Sequence, residues 1–358
     1  MKYTIDKQKG KAYLQIYEQI KNDIINGIYS YGTKLPSKRI LSEELGISVI
    51  TVEHAYSLLY EEGYIDSRER SGYFVCYNPD STFSSPPISQ ITPHQNQNLI
   101  QHHDFSFSTY AKTVRRVLTN YGETIFNTSD NSGSLELKTA IRDYLKRSRG
   151  INVKNEQIVI GAGSEFLYGL IIQMLGKNRI YALENPSYQK ISKVYRANGV
   201  KTLLLPLSKD GISSEHLHKT PATALHITPY RSFPSQISAN ASKKQEYIRW
   251  AKSNDKIIIE DDYESEFTLL KKAEETLFSL SCGNNVIYVN TFSKTISPSL
   301  RIAYMLLPQN LIETYKKTVN FYSCSVPYFN KLILSELINS GNFERHINRV
   351  RRKRRQGR

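Results

Sequence analysis

The lysine that ends the run Thr291-Phe292-Ser293-Lys294 has the most distinctive potential chemistry in this chain. It lies in a turn of small polar residues, and Arg301 follows seven positions after it. A hydrophobic stretch upstream ends in Glu260-Asp261-Asp262-Tyr263. A lysine amine can form a Schiff base, a carboxylate can pair with a pyridinium nitrogen, and an arginine can hold a phosphate. These residue types in this order predict a site for pyridoxal 5'-phosphate (PLP).

Two other turns could supply the phosphate donors and the ring-stacking side chain that a PLP site also needs. Gly161-Ala162-Gly163-Ser164 follows a predicted strand and opens a predicted helix, where backbone N–H groups suit a phosphate. Tyr188 follows the next predicted strand and could stack on the pyridine ring. Each feature alone has an ordinary alternative: a plain turn, a packed aromatic, or, for Asp261, a helix cap or metal ligand. The order and spacing of all of them favour the cofactor site.

The elements that must position these residues follow an alternating pattern from about residue 104 onwards. Helices alternate with short apolar strands, which predicts an α/β domain with a mainly parallel sheet. In such open sheets, ligands bind at the carboxyl ends of the strands, where the motifs above stand. The predicted helices include 135–145, 164–175 and 240–253, and the predicted strands are 157–160, 179–183, 201–205, 224–227, 256–260 and 285–290.

The motifs GAGS, ENPSY, IIIEDDYESEF and NTFSKTISPSLR of this region resemble those of the fold-type I aminotransferases. The resemblance implies that Lys294 is the catalytic lysine that forms the Schiff base with PLP. It implies that Asp261 pairs with the pyridinium nitrogen and Tyr263 with the phenolic oxygen. The other implied cofactor-binding residues are Gly163, Ser164, Thr291 and Arg301 around the phosphate, and Tyr188 against the ring.

The chain departs from that family at positions that would face a substrate. Residues 228–236 lack the His-Gln pair and the glycine of the family, and residues 128–133 lack its tyrosine and proline. Lys190 stands where some relatives carry a carboxylate-binding arginine. Relatives also continue beyond the basic segment at 345–358 into a C-terminal lobe, so we expect this chain to be C-terminally incomplete. These differences bear on substrate or ligand response more than on PLP binding.

The first 76 residues predict a different kind of domain. Apolar residues at helical spacing over 12–28 indicate a first helix, and Ser37 and Ser48 are plausible N-caps of two more. A three-residue turn joins the latter pair, and two short strands at 64–66 and 72–75 follow. This is the pattern of a winged helix-turn-helix, with the last helix in the major groove and the wing at a phosphate or the minor groove. The alternative is a small helical domain with a hairpin that does not bind DNA.

This segment resembles the GntR class of bacterial regulators, in which the Pro-Ser-x-Arg motif and the wing turn contact DNA. The resemblance implies contacts from Ser37, Arg39, Ser71 and Gly72. Where the class usually carries arginine, this recognition helix begins with Val49 and Ile50, and Glu53 follows. Direct readout of bases would then rest on Arg39, Ser48, Thr51 and His54. Arg68 and Arg70 of the wing would reach a phosphate or the minor groove. The predicted DNA-binding residues are Ser37, Arg39, Ser48, Thr51, His54, Arg68, Ser71 and Gly72.

Net charge does not identify the DNA-binding region. The formal net charge is +15, but residues 1–76 hold ten basic and ten acidic side chains. Residues 345–358 contain eight Lys and Arg and no acidic residue. We interpret that basic tail as a helix of the second domain rather than as a dedicated contact to DNA.

Composition indicates a linker between the two domains and limits the other kinds of site that the chain could contain. Residues 77–103, rich in Pro, Ser, Gln and Asn, are predicted to be a flexible linker between a 1–76 DNA-binding domain and a 104–358 aminotransferase-like domain. Histidines 94, 102 and 103 in this linker lack the companions of a metal site, so we expect no metal. The three cysteines are widely spaced, and no apolar run is long enough to span a membrane. A cytoplasmic protein is the simplest interpretation.

Together the two halves resemble the MocR/GabR subfamily of GntR regulators. The resemblance implies a transcription regulator that binds a double-stranded DNA operator as a head-to-tail homodimer. Its aminotransferase-like domain would sense PLP, an amino-acid or amine effector, or both. One alternative is an active aminotransferase with a DNA-binding domain, in which Lys294 also acts as general base. Another is a DNA-binding protein whose second domain no longer holds the cofactor.

Overall fold

The computed structural model describes residues 3–6, 10–69, 71–78, 105–252, 256–263, 265–268 and 274–356. The chain divides into two compact units, residues 1–100 and residues 101–358. Most of the predicted linker, residues 79–103, lies outside the described residues, as do Arg70 and histidines 94, 102 and 103. Within the described part of the chain, no helix has the length and apolar character needed to cross a membrane.

The first unit is a three-helix domain with a hairpin. Its elements are α1 (Ala12–Ile25), α2 (Lys38–Leu45), α3 (Val49–Glu61), β1 (Ile65–Arg68) and β2 (Gly72–Val75). The predicted caps form, because Ser37 accepts a hydrogen bond from the backbone N–H of Ile40 and Ser48 accepts one from Thr51. β1 and β2 are antiparallel, and Ile65 lies opposite Val75. The three helices and the hairpin enclose one apolar core that includes Ile16, Tyr56 and Leu59.

Two boundaries in this unit differ from the sequence prediction. α1 ends at Ile25 rather than near residue 28, because Asn26 leaves the helical conformation and Gly27 has a φ of 75°. β1 begins at Ile65 and continues to Arg68, so the first wing strand is longer than predicted. The wing therefore extends the paired hairpin up to the turn that contains Ser71.

The second unit has an eight-stranded sheet in the order β3-β10-β9-β8-β7-β4-β5-β6. The strands are β3 (Ile158–Gly161), β4 (Ile180–Asn185), β5 (Lys201–Ser208), β6 (Gly211–Ile212), β7 (Ala224–Ile227), β8 (Ile257–Asp262), β9 (Val286–Thr291) and β10 (Ala303–Leu306). β5, β4, β7, β8 and β9 are parallel, whereas β10 is antiparallel to both β3 and β9. β3 thus runs in the same direction as β9. The mostly parallel sheet confirms the predicted fold class.

Helices cover both faces of this sheet. They are α4 (Phe107–Tyr121), α5 (Leu135–Arg149), α6 (Ser164–Leu175), α7 (Gln189–Ala197), α8 (Ser214–Lys219), α9 (Ala241–Lys252), α10 (Leu277–Leu280), α11 (Ile312–Thr318), α12 (Tyr328–Asn339) and α13 (Asn342–Gln356). Alternate residues of one strand point to opposite layers: Ile258 belongs to one apolar cluster, and Ile257 and Ile259 belong to the other. α13, the predicted basic helix, buries Phe343 and Ile347 in the first of these clusters.

β8 runs further than the sequence predicts. The prediction ended this strand at residue 260, but the structure continues it through Asp262, and both aspartates are buried. Acidic residues are disfavoured in strand interiors, so local preference ends the prediction early. The alternation of the strand sends Asp261 and Asp262 to opposite faces, which gives the two carboxylates different surroundings.

Candidate cofactor site and DNA-binding surface

The predicted PLP residues come from chain segments that meet at one edge of the sheet. The carboxyl ends of β3, β4, β7, β8 and β9 lie at that edge because these strands run in one direction. Ala303, at the start of β10, pairs with Gly161 on one side and with Thr291 on the other. The glycine turn, the turn that carries Lys294 and the segment that carries Arg301 are therefore neighbours.

The glycine turn and Arg301 fit together closely. Gly163 has a φ of 94°, and a Cβ at this position would lie 3.0 Å from Nη2 of Arg301. A side chain at this position would press the guanidinium away from the turn and strain the backbone. Ser164 is the first residue of α6, so the free N–H groups of this helix start beside Arg301. The turn thus presents backbone donors and a cation together, which is the chemistry that binds a phosphate.

Thr291 is buried at the end of β9, and its hydroxyl organises the lysine turn. Its Oγ1 accepts a hydrogen bond from the backbone N–H of Ser293 at 3.1 Å and donates one to the carbonyl of Ile302 at 3.3 Å. Ser293 Oγ is buried and has no hydrogen-bond partner among the residues that the structure describes. Lys294 is exposed, and the described part of the chain offers its amine no ion pair. The lysine amine is therefore accessible for attachment.

Glu165, which the sequence analysis did not single out, bridges two cations of the site. Its carboxylate lies 3.2 Å from Nη2 of Arg301 and 3.2 Å from Nζ of Lys190. Burial acts to raise the pKa of Glu165, but the hydrogen bonds from Lys190 and Arg301 lower it below its ordinary value. A phosphate at Arg301 would have to share the guanidinium with this carboxylate or displace it.

The carboxylate of Asp261 is buried and approached from two sides. Oη of Tyr168, on α6, donates a hydrogen bond of 2.5 Å to Oδ2 of Asp261. Nε2 of His226, on β7, lies 3.5 Å from the same oxygen. Burial raises the pKa of Tyr168 well above its ordinary value, so its hydroxyl keeps the proton that it donates. Tyr168 thus holds by a hydrogen bond the carboxylate predicted to face the cofactor, and His226 lies beside it without one.

A third buried residue sets the tautomer of His226. Oη of Tyr195, on α7, lies 2.9 Å from Nδ1 of His226. Burial raises the pKa of Tyr195 well above its ordinary value, so its hydroxyl stays protonated and can donate in this pair. The Asp261 carboxylate beside Nε2 favours the tautomer in which the tyrosine donates. Nδ1 then accepts, which leaves the ring proton on Nε2, the nitrogen that faces Asp261. Tyr168, Tyr195 and His226 were missed from sequence; a histidine within the apolar strand ALHI was the available signal.

The neighbouring Asp262 forms an ion pair and a hydrogen bond on the opposite face of the sheet. Its Oδ2 lies 3.2 Å from Nη2 of Arg149 and accepts a hydrogen bond of 2.8 Å from Oη of Tyr288. The side chains of Arg149 and Asp262 are 4% and 0% exposed. Asp262 is thus neutralised within the core, and Asp261 is the carboxylate available to the site.

The two tyrosines predicted to contact PLP lie at the same edge of the sheet, where each contacts another residue of the protein. The ring of Tyr188 is 44% exposed and meets Phe233 edge-on, with centroids 6.1 Å apart. Oη of Tyr263 donates a hydrogen bond of 3.0 Å to the carbonyl of Arg231. Arg231 lies in the 228–236 segment that departs from the family pattern, so this departure and Tyr263 are in direct contact.

The residues at this edge fit PLP by their chemistry. They combine an accessible lysine, a fixed carboxylate, and a phosphate cradle that a side chain at Gly163 would obstruct. This donor set matches what the cofactor needs at its aldehyde, ring nitrogen and phosphate.

In the first unit, the predicted recognition helix α3 begins with two local contacts. Oγ of Ser48 and Oγ1 of Thr51 are 2.8 Å apart, and Ser48 also accepts from the N–H of Thr51. His54, one turn on, packs edge-on against Tyr13 with ring centroids 5.8 Å apart. Arg39, near the start of α2, is exposed. Ser37 acts as the cap of α2.

The predicted wing turn is built around a glycine. The N–H of Ser71 donates to the carbonyl of Arg68 at 3.0 Å, and Gly72 has a φ of 110°. A Cβ on Gly72 would lie 3.3 Å from Cε of Lys34, so the turn and this lysine are close. The guanidinium of Arg68 stacks over the ring of Phe74, 4.4 Å from its centroid. The wing thus presents a stacked arginine at its surface.

Comparisons with known proteins match each unit to a known family. Residues 12–75 match the model "Bacterial regulatory proteins, gntR family", and residues 94–356 match "Aminotransferase class I and II". The chain is 35% identical over 352 residues to the uncharacterized HTH-type transcriptional regulator YdeL of Bacillus subtilis (strain 168), covering 95% of this chain and 76% of YdeL. It is 28% identical to the probable rhizopine catabolism regulatory protein MocR of Rhizobium meliloti, covering 94% of this chain and 74% of MocR.

A solved structure supports the fold of the second unit. The kynurenine aminotransferase of Pyrococcus horikoshii superposes with a TM-score of 0.64 at 21% identity, covering 70% of this chain and 64% of the enzyme. The chain thus spans about two thirds of that enzyme and about three quarters of the regulators. The family matches confirm both predicted resemblances. The chain belongs to the MocR/GabR subfamily of GntR regulators: it is a helix-turn-helix transcriptional regulator with an aminotransferase-like domain of the PLP-dependent type.

Proposed function

We propose that the aminotransferase-like unit binds PLP, and that PLP, alone or with an amino-acid or amine effector, controls the affinity of the GntR unit for a double-stranded DNA operator. In this proposal Lys294 is the amine to which PLP is attached. Asp261 pairs with the ring nitrogen, Tyr263 serves the phenolic oxygen and Tyr188 stacks on the ring. The phosphate is held by Gly163, Ser164, Thr291 and Arg301.

The observation that carries the proposal is the arrangement around Asp261. Asp262, which points to the opposite face of the same strand, is paired with the cation Arg149. Asp261 instead receives a tyrosine hydroxyl and faces an imidazole N–H on one oxygen. The second oxygen has no side-chain partner among the described residues, and Asp261 stands near the carboxyl end of β8. A fixed carboxylate in this place suits a protonated pyridine nitrogen.

When bound, PLP would supply an electron sink for charge that develops on a bonded amine. The chain's own residues then have separate tasks. Asp261 holds a proton on the ring nitrogen, and Tyr168 holds Asp261 in position. Arg301 and the N-terminus of α6 orient the phosphate. Lys294 would be placed to accept a proton from a bound amine when its own amine is free.

The pairing of Lys190 with Glu165 favours a sensor over an active aminotransferase. Lys190 stands where an arginine would bind a substrate carboxylate, and Glu165 lies 3.2 Å from its amine. A substrate carboxylate would have to compete with Glu165 for this cation. The site thus retains the elements for holding PLP and has weakened an element for binding an amino-acid substrate. An amine effector without a carboxylate would not meet this competition.

We also propose that the regulator acts as a cytoplasmic homodimer. Helix-turn-helix proteins commonly bind two half-sites as two-fold symmetric dimers. Light scattering after size-exclusion chromatography would give the mass in solution. A mass of one chain at the concentrations that bind DNA would contradict this part of the proposal.

The test of cofactor binding is chemical trapping at one lysine. Purified protein mixed with PLP should gain a visible absorption band, and borohydride should fix the cofactor to a peptide that contains Lys294. Lys294→Ala should lose both the band and the labelled peptide. Lys177→Ala, which removes an exposed lysine elsewhere in this unit, should retain both. Labelling spread over several surface lysines, with no loss in Lys294→Ala, would contradict the proposed site.

A further inference from the structure

The first turn of α3 presents apolar side chains to solvent. Four side chains of this helix are buried in the core: Val52, Ala55, Tyr56 and Leu59. At 100° per residue, Ile50 lies on the side of the helix opposite to these four. Ile50 is 64% exposed and its neighbour Val49 is 41% exposed. The outermost group at the start of this helix is therefore a branched hydrocarbon.

Three polar side chains near Ile50, those of Ser48, Thr51 and Glu53, already have partners within the unit. The hydroxyls of Ser48 and Thr51 contact each other at 2.8 Å. The carboxylate of Glu53 lies 2.5 Å from Nζ of Lys38, and this hydrogen bond lowers the pKa of Glu53. Glu53 is thus kept as an ionised acceptor that pairs α3 with α2. A base edge that approached the first turn would meet the methyl and methylene groups of Ile50 first.

We propose that Ile50, flanked by Val49, reads the C5 methyl group of a thymine in the operator. In a helix-turn-helix, the N-terminal residues of the second helix contact base edges in the major groove. The only apolar group that the four base pairs display in this groove is the thymine methyl. The inference rests on DNA binding by the GntR unit and adds the base that this helix prefers. Arg39 and the wing would supply phosphate contacts that position α3.

The experiment removes the methyl from DNA and the side chain from protein. A duplex selected by the full chain from a randomised pool is synthesised with each thymine replaced in turn by deoxyuridine, which lacks only the methyl. Fluorescence anisotropy at one fixed salt concentration gives the affinity of the wild type, Ile50→Ala and Ile28→Ala. Ile28 is a matched control because it is an isoleucine of similar exposure, 59%, outside α3.

We expect the wild type to bind about fourfold more weakly when a single particular thymine, in either half-site, becomes deoxyuridine, the loss that removal of one buried methyl predicts. Ile28→Ala should show the same fourfold loss. Ile50→Ala should bind the thymine and deoxyuridine duplexes equally. All three proteins should have the same helical circular dichroism, because both side chains are exposed.

Two results would overturn this inference while DNA binding itself stands. One is a selected duplex whose affinity for the wild type is insensitive to every deoxyuridine replacement. The other is a methyl dependence that persists unchanged in Ile50→Ala. A third result, no selective binding to any duplex, would overturn both the inference and the DNA-binding part of the proposed function.

Discussion

Replacement of Tyr168 by Phe tests whether Asp261 is held in place for a ligand or is only packed. Oη of Tyr168 donates to Oδ2 of Asp261 at 2.5 Å, and both side chains are buried. The substitution keeps the ring against His226, which it meets edge-on at 4.9 Å, and removes only the hydroxyl. The one group left near Oδ2 is then Nε2 of His226, at 3.5 Å.

The magnitude follows from the kind of hydrogen bond that is lost. A hydrogen bond to a charged group contributes about 1.5–3 kcal/mol, and 1.4 kcal/mol corresponds to a factor of ten in an equilibrium constant. If about half of this energy keeps Asp261 aligned with the ring nitrogen, the dissociation constant for PLP should rise roughly three- to tenfold. The free energy of unfolding without PLP should fall by about 1–3 kcal/mol, since a buried carboxylate oxygen loses its donor.

The assay is a PLP titration followed by visible absorbance, beside urea unfolding of the protein without PLP. Tyr181→Phe is the matched control, because Tyr181 is a buried tyrosine of the same layer whose hydroxyl donates to the carbonyl of Gly176. Tyr181→Phe should lose stability with no change in PLP affinity. If Tyr168→Phe binds PLP as tightly as the wild type while losing stability like the control, the hydroxyl has only a structural role and the reasoning is refuted.

Three further predictions concern the site and the core beneath it. Gly163→Ala should weaken PLP binding roughly tenfold in the same titration, because the new Cβ lies 3.0 Å from Nη2 of Arg301 and displaces a guanidinium whose hydrogen bond to a charged group contributes about 1.5–3 kcal/mol; unchanged affinity would remove Arg301 from the phosphate site. Arg149→Met should lower the free energy of urea unfolding by about 3–5 kcal/mol, since it leaves Asp262 buried without its cation; Arg147→Met, on an exposed pair with Glu344, should change it by less than about 1 kcal/mol. Burial and the nearby charge of Asp262 raise the pKa of Glu266 to about 7. Because the folded state then holds this proton more tightly than the unfolded chain, the free energy of unfolding should fall as pH rises through 7, with Glu266 contributing up to about 3 kcal/mol. Glu266→Gln should reduce that slope in urea unfolding from pH 4.5 to 8 without abolishing it, because burial also raises the pKa of Glu260 to about 7.

Much of the site could be predicted from the sequence because its parts follow strands. Lys294, Asp261, Ser164 and Tyr188 each stand at or just beyond an apolar strand, and parallel strands bring such positions to one edge. The caps Ser37 and Ser48 were likewise local signals, since a cap depends on residues within one turn. Local sequence patterns, together with the rule that ligands bind at the carboxyl ends of parallel strands, were therefore sufficient to predict these residues.

The residues that the sequence did not reveal act across elements. From the sequence, Glu165 is an acidic residue in the first turn of a helix, where its negative charge would interact favourably with the helix dipole. Only the fold brings Lys190 and Arg301 to its two oxygens. From the sequence, Tyr168 and His226 are expected to be ordinary core residues of α6 and β7. They contact the Asp261 carboxylate only because β8 continues two residues beyond its predicted end. Tertiary packing brings together the side chains of α6, α7, β7 and β8. The hydrophobic periodicity of each element does not predict these contacts.

The central claim is that the cofactor site governs DNA binding. The most direct measurement is the affinity of the full chain for its selected duplex, with and without PLP, for the wild type and Lys294→Ala at one salt concentration. The account predicts that PLP changes the affinity of the wild type and leaves that of Lys294→Ala unchanged. An identical wild-type affinity with and without PLP, in samples whose absorption shows the cofactor bound, would contradict it.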